Sequence, residues 1–526
     1  MNSNINKIKI YVIGLATLIV VISGYFALKV KANPYFSIDY LRRVIKTELV
    51  KREFNKQSNI IFADSNDRNI DPSTLDYSKA IPVIVYHGIP DRNTQNIFNV
   101  TIDNFKEQMF ALKKAGYNTI TTNNLYSFLK TDSPLPSKPI LITFDDGRID
   151  AFRYGDPILK ALGYRATMFV IGRYSLVDKE QPYYLSEKQL KEMEKSGTWD
   201  IESHSYDGHN SELVAPDDPS GHFFSHKEWL PEESRLETDE EFRNRVFGDM
   251  KLVKGKIEEL LDKDVKSFAF PFGDYGQNYT NSLNVKNITL EETKKLYNMA
   301  FFQTDPMYRY TSNYYTSKES ENNFFLVKRI TVDPTWSREE LINELEKSTP
   351  KILPYHDELI RDKGWLALWG EMKFGDGNLT ISPAKNDTGT TILLDGSRLW
   401  TDYDLKGTVE SPTKSGVYVW LRFKDDDNNT ACDFGNGFIH IEQTVNGEKR
   451  VIKGSIDKNI KIPDGNFNIE AKVKGRSIEC ILNGNQSIKT EFLDESLSDG
   501  GIGFKTWSNN PGEALLIIKN VNVEKL

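Results

Sequence analysis

Residues 81–87 form an apolar run ending in a histidine. From there the chain alternates short apolar runs with longer amphipathic ones. Residues 101–116 predict a helix. Thr101 caps it, Phe105, Met109 and Leu112 share one face, and Gly116 stops it. Strand 117–121 and helix 123–130 come next. Residues 140–144, Ile-Leu-Ile-Thr-Phe, read as a short buried strand. After it come helix 156–163, strand 166–171, helix 186–197 and strand 200–203. Ser186 and Gln189 stand at capping-box spacing in that second helix. Residues 211–237 read as a long loop. Residues 239–261 predict a strong helix, with Phe242, Val246, Met250, Val253, Ile257 and Leu260 at helical spacing. Strand 267–270, a turn at 271–275, helix 290–298, strands 300–304 and 325–331 and helix 337–347 complete the unit. Strands alternating with helices predict βα units and a largely parallel sheet, open or closed as a barrel.

The texture changes near residues 354–363, where helical periodicity ends. Beyond them lie alternating, turn-rich stretches at 399–410, 416–423, 437–443, 467–473, 477–482 and 515–523. Many short strands at this spacing predict a β-sandwich or jelly roll. At the other end, residues 10–28 are uncharged and mostly apolar, flanked by Lys7, Lys9, Lys29 and Lys31. About 19 residues at ~1.5 Å each cross a bilayer core. A retained single-span anchor is the expectation. Cleavage after Val30-Lys31-Ala32 is the alternative, and would give a secreted protein. Lysines on both sides leave the orientation open. A polar stretch with a helix-like basic run at 40–54 reads as a solvated stalk. The expected organisation is therefore 1–32 anchor or signal, 33–79 stalk, 80–356 α/β domain and 364–526 β-sandwich.

Length supports this division, since 526 residues exceed one ordinary domain. The net charge of -8 argues against nucleic acid as a main partner. The two cysteines, Cys432 and Cys480, lie far apart in sequence, so no zinc-type cysteine cluster exists. In an extracellular protein they could pair.

Two groups of residues stand out chemically. Asp145 and Asp146 come after the strand at 140–144 and precede Gly147. Strand neighbours point to opposite faces, but a turn at Gly147 lets both carboxylates reach one pocket at the strand's C-terminal end. A metal ion on one would leave the other as a base. His204 and His209 stand in Glu-Ser-His-Ser-Tyr-Asp-Gly-His. Their i, i+5 spacing does not share a helix face, yet a loop through Gly208 can join the rings. Two imidazoles and one carboxylate make a three-ligand site for Zn²⁺ or a similar ion, with a position open for water. The bland readings are a solvated Asp-Asp-Gly turn and a polar loop with incidental histidines.

Together these residues resemble the polysaccharide deacetylases, carbohydrate esterase family 4. Thr143-Phe-Asp-Asp-Gly147 matches the family's first motif. His204-Ser205 and His209 match its second, with one extra residue between the histidines. That spacing, Tyr86-His87 on the first strand, Phe270-Pro-Phe-Gly273 and Glu240-Glu-Phe-Arg-x-Arg-Val246 resemble the subgroup that deacetylates poly-N-acetylglucosamine in bacterial biofilms. The resemblance covers roughly residues 80–350. It implies a deformed (β/α) barrel and hydrolysis of N-acetyl groups. It assigns Asp146, His204 and His209 to a divalent metal (Zn²⁺, Co²⁺ or Ni²⁺), Asp145 as base, the Phe272 backbone N–H to the oxyanion and His87 as acid. His356, in Leu353-Pro-Tyr-His356, is the alternative acid, and Asp305 a weak candidate for tuning it. His222 and His226 are expected at the surface or the substrate rim. Phe270 and Phe272 depart from the general family, which has Arg and Tyr there. Peptidoglycan is the alternative substrate, and a non-catalytic polysaccharide-binding protein the alternative outside enzymes. The C-terminal part resembles concanavalin-like sandwich modules through Trp400-Thr-Asp-Tyr403, residues 416–422, residues 500–504 and Trp507. That resemblance implies sugar stacking by exposed aromatics. Asp425-Asp-Asp427 reads as a Ca²⁺ candidate or a solvated turn.

Overall fold

The computed structural model describes residues 80–90, 96, 98–277, 279–304, 313–315, 324–348 and 351–526. The expected anchor, the stalk and Asp305 lie outside them. Among the described residues no helix is long and apolar enough to cross a membrane.

Seven short strands close the first half of the chain. They are β1 (Val83–Tyr86), β2 (Pro139–Phe144), β3 (Ala166–Val170), β4 (Trp199–Ser203), β5 (Ser267–Ala269), β6 (Met299–Thr304) and β7 (Leu326–Thr331). Each pairs parallel with the next, and β7 returns to β1 through Ile330↔Ile84 and Thr331↔Val85. The ring is thinnest between β4 and β5, which share one register pair, Phe268↔Ser203. The barrel is therefore deformed rather than regular.

Alternation along the strands sorts the side chains into two layers. Val83, Leu141, Phe169, Ala269, Phe301 and Val327 cluster inside the barrel, and Phe169 and Phe301 meet at 5.1 Å. Ile84, Ile142, Met168, Ile201, Phe268, Ala300 and Ile330 face outward under the helices. Burial on both sides explains why β1, β2 and β3 are apolar but for Thr143 and Thr167. The flanking helices are α1 (Ile102–Lys114), α2 (Thr122–Thr131), α3 (Asp156–Leu162), α4 (Glu187–Ser196), α5 (Asp239–Leu261), α6 (Val285–Leu296) and α7 (Arg338–Ser348). Leu125, Phe128 and Leu129 of α2 join the inner cluster and seal one end of the barrel.

Local signals place most of these elements well. Thr101 caps α1, and Ser186 with Gln189 forms the expected capping box on α4. Helix α5 has the expected bounds. Three features differ. A π-helical turn, Ala151–Gly155, precedes α3. Helix α6 starts at Val285, five residues early, because Val285 and Ile288 bury on the core. The expected loop at 211–237 contains two antiparallel pairs, Ser211–Glu212 with Gly221–His222 and Trp229–Leu230 with Arg235–Leu236.

The second half is all β, in two antiparallel sheets around a separate core. One sheet has eight strands and the other seven. Cys432 and Cys480 join the two sheets by a disulfide across a Cα–Cα distance of 5.7 Å. Tyr355–Asp357 pairs with residues 521–523 of the last strand, so the sandwich begins before the expected limit of 356. Cross-strand pairing with a segment more than 160 residues later leaves no local mark. The sandwich also holds strands that alternation did not reveal, among them Asn428–Gly435 and Glu448–Ile456.

Candidate functional site

Barrel parity builds the site. On β2, Leu141 and Thr143 point inward, and Asp145 continues that row just past the strand. Val83 on β1, Phe301 on β6 and Val327 on β7 set the same parity for His87, Gln303 and Arg329. Four polar side chains thus converge at the C-terminal mouth of the barrel. That end is where strand termini and loops of such folds hold ligands.

Asp146 would leave this pocket if the strand continued. Instead the chain turns at Asp146 itself, which has φ 72°. Gly147 comes next at φ 71°, where a Cβ would stand 2.4 Å from Ser175 Oγ. The turn therefore starts one residue earlier than the glycine suggested, and it returns Asp146 to the pocket.

The His204–His209 loop is tied from both sides. Ser205, at φ 68°, accepts the Gly208 N–H on its Oγ at 3.0 Å. Asp249 of α5 accepts the N–H groups of Tyr206 and Asp207 at 2.9 and 2.8 Å. The two imidazoles meet at 4.4 Å between centroids. Ala269 O lies 2.7 Å from His204 Nδ1, so that nitrogen carries the proton and Nε2 keeps its lone pair. His204 Nε2 and His209 Nε2 lie 3.8 and 3.6 Å from Asp146 Oδ1.

These separations are too long for hydrogen bonds. They are close to the ~3.4 Å edge expected for ligands ~2.0–2.1 Å from a tetrahedral Zn²⁺. Asp146, His204 and His209 form one of the two groups among the described residues that could hold a metal ion. The residues present therefore fit the ion that the motif implies. Burial, followed by the neighbouring His204 ring, holds His209 well below the usual imidazole range. The neutral ring is the form that ligates.

Asp145 lies 3.6 Å from His204 Nε2 through Oδ2 and is fully buried. Arg329, also fully buried, grips it with two bonds of 2.6 and 2.8 Å. Burial alone would raise the Asp145 carboxyl. The Arg329 charge and hydrogen bonds, with His204 and His87, outweigh burial and hold it well below the usual carboxylate range. Gln303 Nε2 stands 3.3 Å from Asp145 Oδ2 and 3.4 Å from His87 Nε2, bridging the two. Burial lowers His87, while the charges of Asp146 and Asp145 oppose that shift.

Sequence reasoning missed Arg329 and Gln303. The available signal was parity: each stands two residues beyond an inward apolar residue of its strand, so each faces the mouth.

Phe272 sits on the turn after β5 at φ 58° and is 48% exposed. Its ring stacks on His222 at 4.4 Å and leans on His209 at 5.3 Å. A Cβ at Gly273 would stand 2.7 Å from the Gln303 backbone nitrogen, so only glycine lets this turn press on β6. Asp274 holds His222 Nδ1 at 2.8 Å and Ser225 Oγ at 2.6 Å. His222 thus belongs to the rim, and His226 is packed behind it with Ser225.

His356 is corrected as an acid candidate. It lies in the sandwich sheet, over half exposed, bonded to Asn522 and near Glu524. The Leu-Pro-Tyr-His resemblance left it at the domain boundary, and strand pairing puts it on the sandwich side. Of the aromatics expected to stack on sugars, Trp400, Tyr403 and Phe504 are buried in the sandwich core. Asp425 spends its Oδ1 on Asp427 N and Asn428 Nδ2, a self-bonded turn.

Residues 132–290 match the family model described as polysaccharide deacetylase. Among curated proteins, poly-beta-1,6-N-acetyl-D-glucosamine N-deacetylase of Staphylococcus aureus (strain MRSA252) is 31% identical over 177 residues, 34% of this chain and 54% of that protein. The protein of the same name from Escherichia coli (strain K12) is 24% identical over 233 residues, 41% of this chain and 33% of that protein. This chain thus spans about a third to a half of these relatives. Among solved structures, a de-N-acetylase from Aggregatibacter actinomycetemcomitans has a TM-score of 0.41 at 20% identity, covering 50% of this chain and 98% of that one. Asp145, Asp146, His204, His209 and Phe272 all fall within 132–290, the stretch that is similar to the polysaccharide deacetylases.

Proposed function

We propose that this chain is a divalent-metal-dependent hydrolase of N-acetyl groups on an N-acetylglucosamine polymer. Poly-N-acetylglucosamine is the leading substrate. The observation that carries the reading is the convergence of Asp146, His204 and His209 beside a buried, ionised Asp145. The family that residues 132–290 resemble supports deacetylation. The names of the Staphylococcus aureus and Escherichia coli relatives support the polymer.

Asp146, His204 and His209 would hold the ion. When bound, it supplies a Lewis acid for the acetyl carbonyl and a lowered pKa for water. Asp145 takes the proton of the water that adds to the acetyl carbon. Arg329 keeps that carboxylate charged and fixes its direction. The backbone N–H of Phe272 donates to the oxyanion. As the C–N bond breaks, His87 gives a proton to the departing amine. Burial makes protonated His87 a stronger acid. Acetate and a free amine leave. Gln303 and the Phe272–His222 stack shape the mouth through which a sugar enters.

The reading places the catalytic domain outside the membrane, anchored or secreted. The Cys432–Cys480 disulfide supports an oxidising compartment, and the apolar run at 10–28 supports the anchor.

Acetate release from the full chain in detergent tests the proposal. Substrates are β-1,6-linked N-acetylglucosamine oligomers and peptidoglycan, with Zn²⁺ or with chelator, beside Asp145→Asn. Metal-dependent release from the oligomers that Asp145→Asn abolishes is expected. Release from peptidoglycan alone would move the substrate to the wall. No release from either would overturn the catalytic reading.

A further inference from the structure

Strands Asn428–Gly435 and Phe438–Val445 of the seven-stranded sheet are antiparallel neighbours. Cys432, Phe434, Ile439 and Ile441 face the sandwich core. The alternate residues face away from it, and they include Asp433, His440 and Glu442. Asp433 stands directly across from His440, and Glu442 lies two residues further on the same face. Cross-strand and i, i+2 positions bring three side chains together without any loop. One ligand atom from each lies within 4.8 Å of the others.

The surroundings fit an ion. Asp433 is 5% exposed; the Trp507 side chain and the charges of Lys449 and Lys505 reach its carboxylate, yet its Oδ1 has no hydrogen-bond partner. A buried carboxylate oxygen is costly without a partner, and a cation supplies one. Gly454 faces His440 on the next strand, and a Cβ there would come 2.9 Å from His440 Cδ2. Phe438 stacks on the imidazole at 4.5 Å and fixes its plane. Ala431 stands opposite Glu442 and leaves that carboxylate room. Two lysines act against an ion. Lys449 Nζ pairs with Glu442 Oε2 at 2.6 Å, and both Lys449 and Lys505 lie over the adjacent Tyr418 ring. The Lys449 side chain is 55% exposed and free to swing outward, so it competes for Glu442 rather than blocking it.

We propose that Asp433, His440 and Glu442 form a second divalent-metal site, in the sandwich, for an ion such as Zn²⁺ that accepts mixed nitrogen and oxygen ligands. It shares no residue with the barrel centre and does not rest on the deacetylase reading. The ion would clip two strands of one sheet on the side opposite its core.

Zinc stoichiometry of the full chain, by calorimetry and elemental analysis after dialysis, tests it. Wild type is expected to bind two ions. His440→Gln and Asp433→Asn should each lose one, and Asp146→Ala should lose the other. His440→Gln alters a partly exposed position, so the test does not depend on a change at buried Asp433. Lys449→Gln should tighten the sandwich site at least threefold. One ion kept in Asp146→Ala and lost in His440→Gln supports the site even if the barrel centre binds none. An unchanged ion count in both His440→Gln and Asp433→Asn overturns it. So does a wild-type chain whose ions all disappear in Asp146→Ala.

Discussion

A carboxylate buried as deeply as Asp145 would ordinarily take up a proton. Arg329 prevents this, from a position 184 residues away in sequence. Arg329→Met would leave the Asp145 charge without its partner in the barrel. Breaking a buried pair on one side costs about 3–5 kcal/mol. Urea unfolding should show a loss of that size, and acetate release should fall at least tenfold. Equal stability in the variant would mean that Asp145 is not ionised there. Sequence alone made Asp145 and Asp146 visible, because adjacent acids before a glycine are a local pattern. It made Arg329 visible only as a charge at an inward position of Leu-Val-Lys-Arg-Ile-Thr, with nothing to say which acid it meets.

Helix α5 serves the site from outside. Its Thr238–Glu241 capping box sets where it begins, and its Asp249 then reaches the backbone of the His204–His209 loop. Burial pushes the Asp249 carboxyl up to about 6, against the two N–H donors that favour its charge. A raised folded value means stability that is complete below the ordinary value of 3.8 and is lost as pH rises through 6. That rise corresponds to about 3 kcal/mol. Relative to Asp249→Asn, wild-type stability should therefore fall by about that amount between pH 4 and pH 6.5, as read by urea unfolding across the range. A constant difference would show that Asp249 titrates alike in both states. The same variant should weaken metal binding about tenfold, since the loop bearing His209 loses its support. The α5 bounds were legible in sequence because caps and 3.6-residue periodicity are short-range. The role of Asp249 was not, since it sits on the helix as an ordinary polar residue.

At the scale of the whole molecule, the sandwich has a hydrophobic core of its own, distinct from the inner and outer apolar layers of the barrel. The disulfide closes a separation of 48 residues between the two sheets of the second. The loop-entropy model gives about 4 kcal/mol for such a cross-link. Calorimetry of the full chain should show two transitions. Cys432→Ala with Cys480→Ala should lower only the sandwich transition and leave acetate release unchanged. A shift of both transitions would mean that the two parts unfold as one unit.

The order of elements in the barrel half came from sequence by itself, as did the all-β character of the C-terminal half and the residues of the two motifs. These rest on contacts between near neighbours: alternation, helical spacing, caps and a turn glycine. Tertiary structure alone decided that β7 closes on β1, which delivers Arg329 and His87 to Asp145. It also moved His356 into the sandwich and showed strands such as Glu448–Ile456, whose exposed residues carry no alternation to read. The reason is physical. Ring closure and sheet membership are settled by packing among residues far apart in sequence, and no local pattern records which distant strand a segment will meet.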